Sequence, residues 1–295
     1  MWLRGVKIYV SYHVYLEYYR DLYFGKILFR KLFNLITDIL FPLAYYLPLS
    51  FFADCVGIPS KTADSYVFDY SHRVHILKSG LDTRIFHPDA KNYQGDVLDL
   101  KSMSTEGPVL IYCGRLAVEK SIDFLIESLA ELDTATLVIV GDGPIRKDLE
   151  QLSERVVGKE YVYTGESPIN GRYRVIFTGM IRNEKIVASY YAQSDIFVSA
   201  SGSETFGFTV AEAMACGTPS CVVRSGAFTT VYKMIDNWMF DVGNTEQFCQ
   251  IIRDIYKNSS NRQLSRRIGM QFSIESSVND LLDTYYWIVG GCQEE

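Results

Sequence analysis

From Val109 to Val223, short apolar runs alternate with amphipathic stretches, and this alternation limits the possible folds more than any other feature of the chain. Val109-Leu110-Ile111-Tyr112, Thr136–Val140, Arg174–Phe177, Ile196–Ser199 and Ser220–Val223 read as strands. Between them, Ser121–Leu132 sets Ile122, Leu125, Ile126 and Leu129 on one helical face. Ile145–Leu152, Asn183–Ala192 and Gly207–Ala215 also read as helices. Strands alternating with helices form a parallel, doubly wound α/β sheet. Arg155–Gly171 reads as an inserted loop, and helices Glu246–Lys257 and Val278–Ile288 follow.

Upstream, Gly5–Tyr12, Ala53–Ser60 and Val74–Leu77 read as strands, Ala63–Tyr70 as a helix, and the aromatic segment to about Phe52 as helical. Phe86–Gly107 is polar with proline and glycine, which suits a linker. A chain of 295 residues fits two domains. The expected division is residues 1–86, a linker over 87–107, and residues 108–295. With 48% hydrophobic and 22% charged residues, the composition excludes disorder. A net charge of −6 gives no electrostatic case for nucleic acid. The six cysteines form no C-x-x-C pair, so neither a disulfide framework nor a zinc site is expected, only buried or idle thiols of a reducing compartment. Nothing at the start of the chain reads as a signal peptide.

The 21 Tyr and 17 Phe are many, and a large share falls before residue 72. In Tyr15–Phe33, Arg20, Lys26, Arg30 and Lys31 are set among large apolar residues. That pattern suits a helix lying on an anionic membrane surface, and it equally suits a large buried face with solvated basic residues. Leu32–Phe52 contains Asn34, Asp38, Pro42 and Pro48, which make a poor spanning helix.

In doubly wound sheets, ligands bind beyond the carboxyl ends of the strands. Three loops there carry chemistry. In Gly114-Arg115-Leu116-Ala117-Val118-Glu119-Lys120, two cations flank the turn into a helix. With helix N-terminal amides they can hold a diphosphate, although a glycine turn with solvated charges fits as well. Gly141-Asp142-Gly143-Pro144 reads as scaffold, with Pro144 at a helix start. In Ser203–Met214, Gly207 opens a helix whose bare N-terminus a phosphate or sugar can approach. Gly207 to Glu212 spans about 7.5 Å of helix, so Glu204 and Glu212 sit at different depths of one groove. Glu212 suits a ribose diol and Glu204 the hydroxyls of a second sugar. A dipole-favouring acid and a salt-bridged helical acid are the plainer alternatives.

Glu204 and Glu212 resemble the E-x7-E motif of the retaining GT-B glycosyltransferases of family four. The likeness extends to Ile76–Asp82 with Phe86-His87-Pro88, to G-R-L-x-x-E-K at 114–120, to G-D-G-P at 141–144 and to Phe177-Thr178-Gly179, in family order over roughly residues 7–245. It implies a GT-B fold: two Rossmann-like domains, the N-terminal one incomplete because the family's first strands and their glycine-rich loop are absent. It implies that Arg115 and Lys120 bind the donor diphosphate and Glu212 the ribose. Glu204, with the backbone of Phe206 and Gly207, would hold the donor sugar. Phe177–Arg182, with Gly179 and Met180, would frame the base. Ser11-Tyr12-His13 resembles an element whose histidine lines the reaction centre, which would make His13 and Glu204 the catalytic pair. The donor would be a nucleotide sugar, UDP-linked, with no cofactor and no metal; no D-x-D triplet occurs.

Within the family, the motifs are most similar to the sulfoquinovosyl-diacylglycerol synthases. Their acceptor is a lipid, which implies peripheral membrane contact on a plastid or cytosolic membrane face. Bacterial glycolipid mannosyl- and glucosyltransferases share nearly all these motifs. Ser225–Thr230 lacks the family's glutamate, and Asp236–Phe240 is shorter than usual. The incomplete N-terminal domain also admits a non-catalytic sugar-nucleotide-binding remnant.

Overall fold

The computed structural model describes residues 7–11, 55–58, 74–76, 79–165 and 171–290. Its contacts divide the chain into two units, Met1–Gly80 with Glu275–Glu295, and Leu81–Ile274.

In the first unit, β1 (Tyr9–Ser11), β2 (Cys55–Ile58) and β3 (Val74–Ile76) form a parallel sheet in that order. Cys55 and Ile58 are fully buried. The final helix of the chain contributes Tyr285, edge-on to Tyr9 with ring centroids 5.7 Å apart. It also contributes Asp280, whose Oδ2 lies 2.9 Å from His75 Nε2. His13, the aromatic basic segment and the expected helix at 63–70 lie outside the described residues.

The second unit begins with a 3₁₀ turn, Pro88–Asn92, and α1 (Leu100–Met103). These fall in the stretch expected as a linker. Phe86, Ala90, Leu100 and Met103 are instead buried in this unit's core. Four apolar residues dispersed among polar ones leave no periodic signal, yet each finds a place against the core.

The main body follows as β4 (Val109–Cys113), α2 (Ile122–Glu127), β5 (Thr136–Val140), α3 (Arg146–Val157), β6 (Val162–Tyr163) and β7 (Val175–Gly179). Next come α4 (Glu184–Gln193), β8 (Ile196–Ser199), α5 (Phe208–Ala215), β9 (Ser220–Val223), α6 (Phe228–Val231) and β10 (Met239–Phe240). Then α7 (Thr245–Lys257) and α8 (Asn261–Gly269) follow, and the final helix α9 (Ile274–Gly290) belongs from Glu275 to the first unit. The sheet is wholly parallel, in the order β10-β9-β8-β4-β5-β7-β6. Every residue of β5, β8 and β9 is buried, as strands covered by helices on both faces must be.

The stretch at 155–171 differs from the expected loop. Helix α3 runs to Val157, and Val162–Tyr163 adds an edge strand to β7. Two residues are too few to show a period-two pattern, and the same holds for β10. The close approach of β4 and β5 at their carboxyl ends depends on Gly141, at φ 140°. A Cβ there would lie 1.9 Å from the Gly114 carbonyl oxygen.

Candidate functional site

The chain winds outward through β4 and β5 to the edge strand β6, steps back to β7, and then crosses to β8 on the other side of β4. The sheet therefore has its topological switch between β4 and β8, where diverging connections leave a crevice at the carboxyl ends. The loops after these two strands meet across it. Lys120 Nζ donates to Glu204 Oε1 at 2.5 Å and approaches Ser201 Oγ at 3.5 Å. The two side chains are only 16% and 24% exposed. A cation and a carboxylate so shielded interact more strongly than a surface pair.

Local backbone geometry puts them there. Val118–Lys120 forms a 3₁₀ turn that ends at Ser121, which takes left-handed φ 48° and ψ 46° to start α2. For a residue with a Cβ, that conformation costs roughly 1–2 kcal/mol. Arg115, earlier in the same loop, is about half exposed, and its guanidinium pairs with Glu119, whose side chain is 1% exposed. The Tyr112 hydroxyl donates to the Arg115 carbonyl at 3.0 Å and fixes the turn from inside.

Gly207 caps α5 with φ 83°, and the Tyr232 hydroxyl donates to its carbonyl at 2.9 Å. Phe206 is buried against Phe208, Tyr232 and Phe272. These rings anchor the turn from Glu204 into the helix. The segment Ser225–Ala227, which departs from the family pattern, supports the same turn from below: Ala227 N–H donates to the Glu204 carbonyl at 3.2 Å, and Ser225 Oγ to the Gly202 carbonyl at 3.3 Å.

One helical turn into α5, Glu212 accepts from the Tyr191 hydroxyl at 3.0 Å. Burial pushes its pKa up to about 7, the Tyr191 hydrogen bond opposes this rise, and the Glu184 carboxylate adds to it. Glu204 and Glu212 thus hold different partners at the mouth and the depth of the α5 N-terminus.

On the far side of β5, Gly179 ends β7 with φ 74°, and its carbonyl accepts from Gly141 N–H at 2.9 Å. Met180 is 64% exposed. With Phe177, Arg182, Tyr163 and Tyr190 it lines a cleft of 750 Å³ at the ends of β6 and β7.

The model of the family described as glycosyl transferases group 1 matches residues 107–258, more than half of the chain. The chain belongs to this family. The matched stretch of this group 1 glycosyl transferase contains Arg115, Lys120, Gly179, Met180, Glu204, Phe206, Gly207 and Glu212. Among its relatives, sulfoquinovosyl transferase SQD2 of Arabidopsis thaliana is 25% identical over 88% of this chain and 47% of its own length. A GDP-mannose-dependent alpha-(1-6)-phosphatidylinositol dimannoside mannosyltransferase of Mycobacterium tuberculosis is 30% identical over 70% of this chain and 50% of its own. The chain spans about half the length of these relatives. In fold it is similar to Anabaena HepE, solved in complex with UDP and glucose, with a TM-score of 0.70 at 17% identity, over 97% of this chain and 73% of that one. The structural neighbours are GT-B glycosyltransferases, and the parallel sheets here are of that Rossmann-like type.

The sequence reading gave no role to Tyr191, Glu119 or Tyr232. Tyr191 and Tyr232 read as core, and Glu119 entered only as part of the G-R-L-x-x-E-K motif, between Val118 and Lys120.

Proposed function

We propose that the chain carries the donor-binding machinery of a retaining glycosyltransferase that moves a hexosyl group from a nucleotide sugar, UDP-linked, to a lipid hydroxyl. The observation that carries this reading is the Lys120–Glu204 pair at the sheet's switch point, beside the N-terminus of α5. The leaving group is a nucleoside diphosphate, so its developing negative charge is what the site must stabilise.

Lys120 and Arg115 take the diphosphate, aided by the α5 N-terminal amides. Glu212, deeper along α5, accepts from the ribose diol. Glu204, with the backbone at Phe206 and Gly207, holds the hydroxyls of the donor sugar. Gly179 and Met180 frame the base, and His13 is assigned to the reaction centre only on the resemblance of Ser11-Tyr12-His13. When the donor arrives, Lys120 gives up part of its contact with Glu204 to a phosphate oxygen, which frees the carboxylate for a sugar hydroxyl. The acceptor oxygen then bonds to the anomeric carbon on the face from which the diphosphate departs. The bond from that carbon to the β-phosphate oxygen breaks, and the acceptor proton passes to the phosphate.

Among donors and acceptors, sulfoquinovose and diacylglycerol come first, on the likeness to SQD2 and on the motifs around Gly114–Leu125. Peripheral contact with a membrane face follows from a lipid acceptor. The mannosyltransferase relative supports GDP-mannose as the competing donor. The test is a panel of UDP-sulfoquinovose, UDP-glucose and GDP-mannose with diacylglycerol and phosphatidylinositol vesicles, read by mass spectrometry. One donor is expected to label lipid, and Lys120→Ala and Glu204→Ala should each lower turnover about 100-fold or more. Labelling that survives both substitutions, or no labelling from any donor, overturns the reading.

A further inference from the structure

Tyr191 lies on α4, the helix that follows β7, and none of its surface reaches solvent. Its ring is edge-on to Phe197 and tilted against Phe86, with centroids 6.0 and 6.4 Å away. Its carbonyl accepts from Thr218 Oγ1 at 2.6 Å, which ties the end of α4 to the turn after α5. Ring and backbone are both held, and the hydroxyl donates to Glu212 Oε2 at 3.0 Å. The Cys113 thiol, at the end of β4, neighbours the same hydroxyl. A phenol buried this completely, with its proton aimed at a carboxylate on a different helix, does more than fill space.

We propose that Tyr191 is a positioning residue for donor binding: it holds one oxygen of Glu212 and so turns the other toward the ribose diol of the nucleotide. This inference rests on the proposed ribose role of Glu212. A carboxylate accepts from a cis-diol best when it is ionised and its plane is fixed. Tyr191 supplies both, because its hydrogen bond favours the charged form and restrains rotation about the last side-chain bond. Without that bond, burial alone would favour a neutral acid, which is a poorer double acceptor.

The groups facing Glu212 are Tyr191 and Glu184 of α4, Cys113 of β4, Cys216 at the end of α5 and Tyr232 after α6. Burial pushes all three phenol and thiol neighbours other than Tyr191 above their ordinary values, and Tyr191 itself well above, so none of these four titrates near neutral pH. Glu212, with its pKa of about 7, is the group whose charge changes there.

The probes are UDP and 2′,3′-dideoxy-UDP, with the GDP pair in a parallel arm, titrated calorimetrically from pH 5.5 to 8.5. The ratio of the two affinities isolates the diol contact and cancels titration of the ligand's own phosphate. In the wild type the ratio should exceed one and rise with pH through about 7. Tyr191→Phe should lower it roughly five- to ten-fold and move its midpoint to higher pH. Incorporation of 3-fluorotyrosine at position 191, a stronger donor of nearly equal size, should move the midpoint to lower pH. This second variant keeps the test alive should the phenylalanine protein fail to fold. If the midpoint and the ratio stay fixed in both variants, Tyr191 has only a packing role and the inference is overturned. If the wild-type ratio is one at every pH, or no nucleotide binds, the ribose reading of Glu212 falls, and this inference with it.

Discussion

At the residue scale, Glu212, the proposed ribose acceptor, shows how a buried acid can cost stability. Its pKa rises from an ordinary 4.5 to about 7 because burial disfavours the charge. The unfolded chain ionises at the lower value and the folded one at the higher. Between them the folded state binds more protons, so stability falls as pH rises from about 4.5 to about 7 and is flat above. Glutamine mimics the neutral acid. Glu212→Gln should therefore match the wild type in stability at pH 4 and exceed it by about 3 kcal/mol at pH 8, while binding nucleotide more weakly. Urea unfolding at the two pH values checks this, and an equal difference at both would contradict it. Lys120, Glu204, Gly207 and Glu212 were singled out in the sequence by the order of the motifs that resemble family four, since each loop by itself also reads as a turn with solvated charges. Tyr191 was not: its partner lies 21 residues away on another helix, and a tyrosine at an apolar helical position reads as core.

Helix α5 is the element on which the site depends. Its start is set by Gly207, where φ is 83° and an added Cβ would lie 2.7 Å from Phe228 Cε1. Gly207→Ala is expected to destabilise the fold by roughly 2–3 kcal/mol through the left-handed backbone and the forced shift of the Phe228 ring. A lowered thermal midpoint, accompanied by weaker UDP binding, would show it; an unchanged midpoint would count against the argument. At this scale the sequence read well wherever an element is long. β5, β8 and β9 fell on their expected residues because each is an unbroken apolar run covered on both faces. β6 and β10 have two residues each, and α8 is an arginine-rich helix whose Arg262 and Arg266 donate to backbone carbonyls far away in sequence. Their positions come from tertiary contacts, which no local pattern records.

At the scale of the whole molecule, the second unit contains a parallel sheet of seven strands with its topological switch between β4 and β8. Such sheets open a crevice at the switch, and every residue expected from sequence to meet the donor, His13 aside, belongs to this unit. The order of its motifs along the chain made this much of the fold readable. The loops fold back to the same end of the sheet because each follows a strand of the same direction. The central claim is that a nucleoside diphosphate occupies the crevice between the ends of β4 and β8. A crystal structure with UDP bound tests this most directly. The account predicts the diphosphate within hydrogen-bonding distance of Lys120 Nζ and the α5 N-terminus, with the ribose on Glu212. Nucleotide density elsewhere, for example in the polar cleft between Arg224 and Arg253, would contradict it.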